Sequence, residues 1–194
     1  MLPYLHIWHL QLPTFGLMLW LAAVAGAFVM SGSRTAVAAM LVALLMATVG
    51  AISRITAPSI LDINLFAGAW LIMGITLGFV VSRAVFAPGR VTRHHIMGAV
   101  LLYLTIAITF VAVFTFIGSL VPRAFSGLLL EDSPSLASNL IYFSFVTLTT
   151  TGYGDIFPVH PIARSLCNLE SIFGQLYPAT LLARLVTLEL AGRV

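Results

Sequence analysis

The chain has 194 residues, of which 60% are hydrophobic and only 8% are charged, and its formal net charge is +3. A soluble domain carries roughly 25% charged residues, so this composition excludes an ordinary water-soluble fold and predicts a protein that lies in a lipid bilayer. All nine cationic residues are arginine and are scattered along the chain, which argues against a nucleic-acid partner and carries information on membrane topology instead. A single cysteine excludes an internal disulfide.

Four uncharged apolar runs come first in chain order, and each approaches the ~20 residues that a helix needs to cross the hydrocarbon core. They are residues 15–31, 35–53, 63–82 and 96–121. The first three are predicted to form an N-terminal membrane domain, residues 1–95, and the fourth is the predicted outer helix of a second domain, residues 96–194. The alternative is that residues 1–14 form an interfacial helix and that one early span is wrongly assigned.

The pattern changes after Val121. A polar turret, residues 122–135, precedes an apolar segment, 136–148, that is too short to span the bilayer, and the stretch "TTTGYGD" follows it. Non-helical backbone is tolerated at membrane depth only where protein or water satisfies its polar groups. The pattern therefore predicts a re-entrant pore helix followed by an extended segment that lines a wet pathway. The last run, 162–190, would be about 43 Å long as a helix, so it is predicted to tilt or protrude.

Arginine sets the predicted orientation. The loop at 83–95 gathers three arginines, so the positive-inside rule places it in the cytoplasm, with the turret and the N-terminus outside and the C-terminus inside. Voltage sensing is not expected, because no span carries an arginine at every third position. His94 and His95 in the same loop are interpreted as interfacial residues, with cytoplasmic pH sensing as the alternative.

The stretch "TTTGYGD" has the composition needed to bind a dehydrated potassium ion. Backbone carbonyls can replace the hydration shell of the ion if successive carbonyls all point one way. Gly152 and Gly154 accept positive φ without a Cβ penalty, so the backbone can alternate in handedness and turn its carbonyls toward one axis. We call residues 150–155 the filter segment. Its predicted potassium ligands are the carbonyl oxygens of Thr150, Thr151, Gly152 and Tyr153.

The other groups of the filter segment have predicted roles around these carbonyls. The Thr150 hydroxyl adds an oxygen at the cytoplasmic end, Tyr153 points away from the axis, and Asp155 attracts cations at the outer end. One loop supplies one quarter of a cage, and the chain has no second copy of it. A closed site therefore requires four chains around one axis.

"TTTGYGD" resembles the signature of potassium channels, and residues 96–190 resemble the small prokaryotic potassium-channel proteins of the two-helix pore superfamily. The resemblance implies a homotetrameric pore with residues 96–121 as outer helix and 162–190 as inner helix. It also implies a gating hinge at Gly174, for which close packing against the outer helix is the alternative. The family usually has valine or isoleucine at the position of Thr151, so this hydroxyl needs a partner behind the filter.

The first 90 residues match the family only in hydropathy. Relatives often carry four helices before the pore, where three spans are predicted in this chain. Within the inner helix, Pro178 removes a helical hydrogen bond and is predicted to kink the chain. Helical periodicity places four residues on one face, which is the predicted pore lining and leaves Arg184 pointing away from the axis. These four are Gln175, Pro178, Leu182 and Val186.

Two further side chains are predicted to support the filter. Glu170 lies at membrane depth, where carboxyl groups usually mark function and have a partner. The alternative interpretation is that Glu170 is a snorkelling glutamate at the surface. The Tyr142 phenol is predicted to hydrogen-bond Asp155 and hold the filter mouth, with simple aromatic packing as the alternative. The expected hydrogen-bond partners of Glu170 are Thr147, Thr149 and Thr151.

Together these features predict an all-α, homotetrameric, potassium-selective channel of a prokaryotic inner membrane, with potassium and lipid as partners. No cofactor is expected beyond the permeant ion, and no enzymatic activity, because the sequence offers no nucleophile–base pair and no metal-ligand cluster. The alternatives are a weakly selective cation channel and a non-conducting membrane scaffold or subunit. A potassium transporter is disfavoured, because such proteins usually fuse four pore loops in one chain.

Overall fold

A computed structural model describes residues 34–56, 60–85, 93–128 and 134–191. The all-α membrane fold expected from the sequence is confirmed. The helices are α1 (Arg34–Thr56), α2 (Ile60–Val85), α3 (Arg93–Leu120), α4 (Pro134–Leu148) and α5 (Pro161–Ala191). Two short strands, β1 (Phe125–Ser126) and β2 (Phe157–Pro158), were not expected. The predicted span at 15–31, the interfacial alternative at 1–14 and the side chains of His94 and His95 lie outside the described residues.

Three helices among the described residues are long and apolar enough to cross a membrane: Arg34–Arg54, Ile60–Arg83 and Ile96–Leu120. They contain the second, third and fourth apolar runs of the sequence. Such segments form helices because a helix satisfies all its backbone groups internally, away from water. Helix α5 is longer, at 31 residues, but it is more polar and is not one of the three. Helices α4 and α5 both begin at a proline, which has no N–H to lose in a first turn.

The chain forms two compact units, Met1–Thr76 and Leu77–Val194. In the first unit α1 packs against the beginning of α2. A Cβ added to Gly50 would lie 3.3 Å from the Leu65 Cβ, so the two helices are in close contact there. Arg54 and the fully buried Asp62 form an ion pair with an N–O distance of 3.9 Å.

The boundary between the two units lies inside α2, and the division into domains at residue 95 stays a prediction. The end of α2 packs closely on α3. A Cβ added to Gly98 would lie 3.1 Å from Val85 and 3.9 Å from Val81. These contacts join the last turns of α2 to the second unit.

Aromatic rings form the core of the second unit and fix α4 among its neighbours. The ring centroid of Phe143 in α4 lies 5.1 Å from that of Phe114 in α3 and 5.3 Å from that of Phe125 in β1. On the side of α5 the same cluster is completed by the small buried residues Ala163 and Cys167. Ring contacts of this kind add to the stabilisation from buried area, so α4 is held on several sides.

The two strands connect the turret to the segment after "TTTGYGD". They pair antiparallel, with Phe125 opposite Pro158 and Ser126 opposite Phe157. Beyond the pair, the backbone N–H of Val159 donates to the Ala124 carbonyl at 2.9 Å. The backbone on both sides of the filter segment is therefore anchored, by α4 before it and by this pair after it.

Candidate functional site

The backbone of the filter segment alternates in handedness. Thr150, Gly152 and Gly154 have φ values of 56°, 58° and 83°, whereas Thr151 and Tyr153 between them are outside the positive-φ region. The positive φ expected at both glycines is present. In an ordinary strand successive carbonyls point to opposite sides, whereas this alternation turns them to one side. The positive φ at Thr150 was not expected, since a threonine there has a Cβ penalty.

The end of α4 explains the conformation of Thr150. The Thr151 N–H donates to the Val146 carbonyl at 2.9 Å, and the Thr150 N–H donates to the Thr147 carbonyl at 3.0 Å. These two bonds form a Schellman motif, in which the first residue after the helix is left-handed. Glycine or asparagine usually occupies that position, so the sequence carried no signal for it. The helix cap thus begins the alternation one residue before the glycines.

The Thr151 hydroxyl has the partner that its position requires. It lies 2.9 Å from the Thr149 hydroxyl, which donates its own proton to the Phe145 carbonyl at 2.7 Å. Because the Thr149 proton is used there, Thr151 is the donor between the two hydroxyls. This pair holds the side chain of Thr151 against the end of α4.

At the inner end of the filter segment, helix α5 contacts Thr150 directly. The Gln175 side-chain amide donates to the Thr150 hydroxyl at 2.9 Å. Gln175, Pro178, Leu182 and Val186 are all exposed in the single chain, and their role as a pore lining stays a prediction. Arg184 is off this face and donates to the backbone carbonyl of Val85 at the end of α2. The kink expected at Pro178 stays a prediction.

At the outer end, the ring of Tyr142 and the glycine Gly127 contact the filter segment. The rings of Tyr142 and Tyr153 are stacked with an interplanar angle of 3° and centroids 6.2 Å apart. The hydrogen bond expected between the Tyr142 phenol and Asp155 stays a prediction. A Cβ added to Gly127, which has φ +77°, would lie 2.0 Å from the Asp155 carbonyl oxygen. Only glycine therefore fits at this point of the turret. The role of Gly127 was not predicted, because no local sequence pattern relates it to Asp155.

Glu170 lies behind the filter segment, but its hydrogen-bond partner is not the one expected. The side chain is fully buried, so the snorkelling alternative is wrong. Its Oε1 lies 2.5 Å from the Ser144 hydroxyl, which is also 2.8 Å from the Ala107 carbonyl oxygen. The expected partners Thr147, Thr149 and Thr151 are therefore wrong. Ser144 precedes Thr147 by three residues, and the rotation of α4 places Ser144 toward Glu170.

Two neighbours of Glu170 extend this contact along one side of α5. The Ser171 hydroxyl donates to the Thr147 carbonyl at 3.2 Å. A Cβ added to Gly174 would lie 1.8 Å from the Leu148 carbonyl oxygen. The close packing at Gly174 is thus against the end of α4 and not against the outer helix. A hinge role for Gly174 stays a prediction. We call the contacts of residues 170, 171 and 174 with residues 144, 147 and 148 the α4–α5 seam.

Comparison with known proteins adds one finding. Residues 98–189 match a family model described as "Ion channel". The matched part begins in α3, includes α4 and the filter segment, and ends in α5. No curated protein and no solved structure matches the chain. The match supports an ion-channel domain in this part of an integral membrane protein.

Proposed function

We propose that the chain is one subunit of a homotetrameric potassium-selective channel, in which four filter segments surround one conduction axis. The observation that carries this proposal is the alternating backbone of residues 150–154, with positive φ at every second residue. Four such segments supply stacked rings of carbonyl oxygens, which can replace the hydration shell of potassium. The ion-channel match over residues 98–189 supports the same reading at a coarser level.

The environment of the filter segment supports a site completed by other copies. A Cβ added to Gly152 or Gly154 meets no atom within 4 Å in its own chain, so the backbone is open on that side. The Tyr153 side chain is 70% exposed, although it is large and largely apolar. Partner subunits would cover the Tyr153 ring, and the open backbone would face the ions.

The inner end of the filter segment suits a partly hydrated cation. A threonine hydroxyl has two acceptor lone pairs. At Thr150 one of them accepts the Gln175 amide proton, and the other can contact an ion. The exposed face of α5 that carries Gln175, Leu182 and Val186 would then line the path to the cytoplasm. We propose a prokaryotic inner membrane, with the C-terminus in the cytoplasm, and gating without a conventional voltage sensor.

The proposal is tested with purified protein in liposomes, together with its native mass. The expected result is a tetramer that passes potassium down its gradient and passes sodium far more slowly. Comparable fluxes of the two ions would instead indicate a weakly selective cation channel. A correctly assembled protein without flux under any gradient would indicate a scaffold or a non-conducting subunit. Either outcome contradicts the proposal, as does a stable, conducting dimer.

A further inference from the structure

Ser144 has fewer protons than its hydrogen-bond contacts require. A serine hydroxyl carries one proton and two acceptor lone pairs. Its oxygen lies 2.8 Å from the Ala107 carbonyl oxygen, which can only accept, and 2.5 Å from Glu170 Oε1. If Glu170 were ionised, both neighbours would be acceptors. One of the two close oxygen–oxygen contacts would then have no proton between its atoms.

An ionised Glu170 would also lack compensation for its charge. The side chain is fully buried, its Oε2 has no hydrogen-bond partner among the described residues, and it forms no ion pair with any of them. The ionisable side chains near it in this part of the chain are Tyr103 of α3 and Cys167 of α5. Neither carries a positive charge. Burying a carboxylate with no cation and no donor beyond one shared hydroxyl is strongly unfavourable.

We propose that Glu170 is a neutral carboxylic acid that donates its proton to Ser144. The Ser144 hydroxyl is then free to donate to the Ala107 carbonyl. Both short contacts become hydrogen bonds, in a chain that runs from α5 through α4 to α3. No charge is buried at this point, and α3, α4 and α5 are joined there.

The position of this chain in the fold makes Glu170 a positioning residue. It is the first contact of the α4–α5 seam, followed by the Ser171–Thr147 hydrogen bond and the Gly174–Leu148 contact. The seam fixes the last turn of α4, which leads directly into the capped Thr150. A neutral acid does this without placing a cation or an anion beside the ion pathway. Only this consequence for ion conduction rests on the proposed function.

Infrared spectroscopy tests the protonation of Glu170 without any measurement of flux. The protein is labelled with ¹³C at glutamate carboxyls, and the spectrum of Glu170→Gln is subtracted from that of the parent at neutral pH. The expected difference is the carbonyl band of a protonated carboxyl, which moves with the label. The band should shift in Ser144→Ala and stay in place in Ser165→Ala. Ser165 is a matched control, because its exposed hydroxyl donates within α5 to the Pro161 carbonyl.

Thermal unfolding of the same variants provides a second readout. Glutamine has an N–H donor in place of the acid proton, so Glu170→Gln should keep its unfolding midpoint within roughly 2 °C of the parent. Glu170→Ala should lower it by roughly 2–12 °C, because the bond is lost and a buried group loses its partner. Carboxylate bands in place of the acid band would overturn the proposal, even if Ser144→Ala failed to fold. Equal destabilisation by glutamine and alanine would overturn it too.

These results are separable from the proposed function. An acid band in a protein that passes no potassium supports the role of Glu170 and contradicts the proposed channel. A carboxylate band in a potassium-selective tetramer contradicts the role of Glu170 and supports the proposed channel. A selective flux that Glu170→Gln preserves and Glu170→Ala reduces, alongside an acid band, supports both.

Discussion

Among the described residues, Asp62 in the first unit and Glu170 in the second are buried carboxyl groups, and the two are compensated differently. In the first unit Asp62 forms an ion pair with Arg54, whose side chain is 42% exposed. In the second unit Glu170 has a hydroxyl and no cation among the described residues. A charged pair is acceptable near a helix end, whereas a fixed charge behind the filter segment would attract or repel the permeant ion. A neutral Glu170, as proposed above, adds no charge at this point beside the proposed ion pathway.

The units also differ in how closely their backbones approach. At Gly50 an added Cβ would meet a side-chain atom at 3.3 Å, whereas at Gly174 it would meet a backbone carbonyl at 1.8 Å. The overlap at Gly50 is only a few tenths of an ångström, which a small shift between α1 and α2 can relieve, but the carbonyl met at Gly174 lies in a capped helix end and cannot move without moving the chain that follows. The first unit should therefore tolerate small changes that the second does not, and paired substitutions test this.

The largest effect is expected from Gly152→Ala. A left-handed residue with a Cβ costs roughly 1–2 kcal/mol, and four chains carry the change at once. Thr150 tolerates the same region because two capping hydrogen bonds hold it there. We expect Gly152→Ala tetramers to lose potassium flux or the preference for potassium over sodium, measured in liposomes at matched incorporation. Gly50→Ala in the first unit is the control and should conduct selectively. Selective flux through Gly152→Ala would mean that these residues do not form the filter.

The next effect is expected from Gly174→Ala. The added methyl group would overlap the Leu148 carbonyl, so α5 or the end of α4 must shift. Overpacking of this kind costs typically 1–3 kcal/mol, and we expect a lower yield of tetramer and a lower unfolding midpoint. Gly50→Ala should change the midpoint far less. If the two alanine variants had the same unfolding midpoint, the claim that the second unit is the more rigid one at its glycine contact would be wrong.

Replacing each buried carboxyl group by an amide should destabilise the protein more in the first unit than in the second. This is the reverse of the order expected for the glycine substitutions. Asp62→Asn removes the charge that compensates Arg54, so we expect a loss of about 1 kcal/mol in the free energy of unfolding. Glu170→Gln replaces one neutral donor by another and should cost less. Thermal unfolding of both variants in the same detergent measures the difference. A larger loss for Glu170→Gln would show that Glu170 acts as a charged group.

The smallest effect is expected at the inner end of the filter segment. Gln175→Leu removes the amide donor to Thr150 but leaves every filter carbonyl in place, so it should alter potassium binding by roughly the 0.5–1.5 kcal/mol of one hydrogen bond. Thr150→Ala removes the hydroxyl itself and should weaken innermost binding more. Flux measured at increasing potassium concentrations compares potassium binding in the two variants. Loss of selectivity in Gln175→Leu would contradict this prediction, because it would show that the filter carbonyls depend on Gln175 for their arrangement.

Much of the fold could be predicted because lipid leaves few choices. The apolar runs at 35–53, 63–82 and 96–121 fall within α1, α2 and α3, with only small differences at the ends. A segment in hydrocarbon must satisfy its backbone internally, so hydropathy alone indicates a helix. The two-residue strands β1 and β2 are too short to leave a periodic pattern.

The site was predictable only where one residue type carries the signal. The positive φ of Gly152 and Gly154 follows from the glycines themselves. That of Thr150 depends on a helix cap without glycine, and the contact of Gly127 with Asp155 joins distant parts of the chain. The partner of Glu170 depends on the rotation of α4, which sequence spacing does not fix because Ser144 and Thr147 are only about 60° apart around a helix.

The bi-ionic reversal potential of the tetramer in a planar bilayer, with potassium on one side and sodium on the other, tests the central claim most directly. A tenfold preference for one monovalent ion corresponds to about 59 mV. Stacked carbonyl rings formed by four filter segments predict a reversal potential displaced by more than about 59 mV in the direction of potassium selectivity. A reversal potential near zero, from open and correctly assembled tetramers, would contradict the claim.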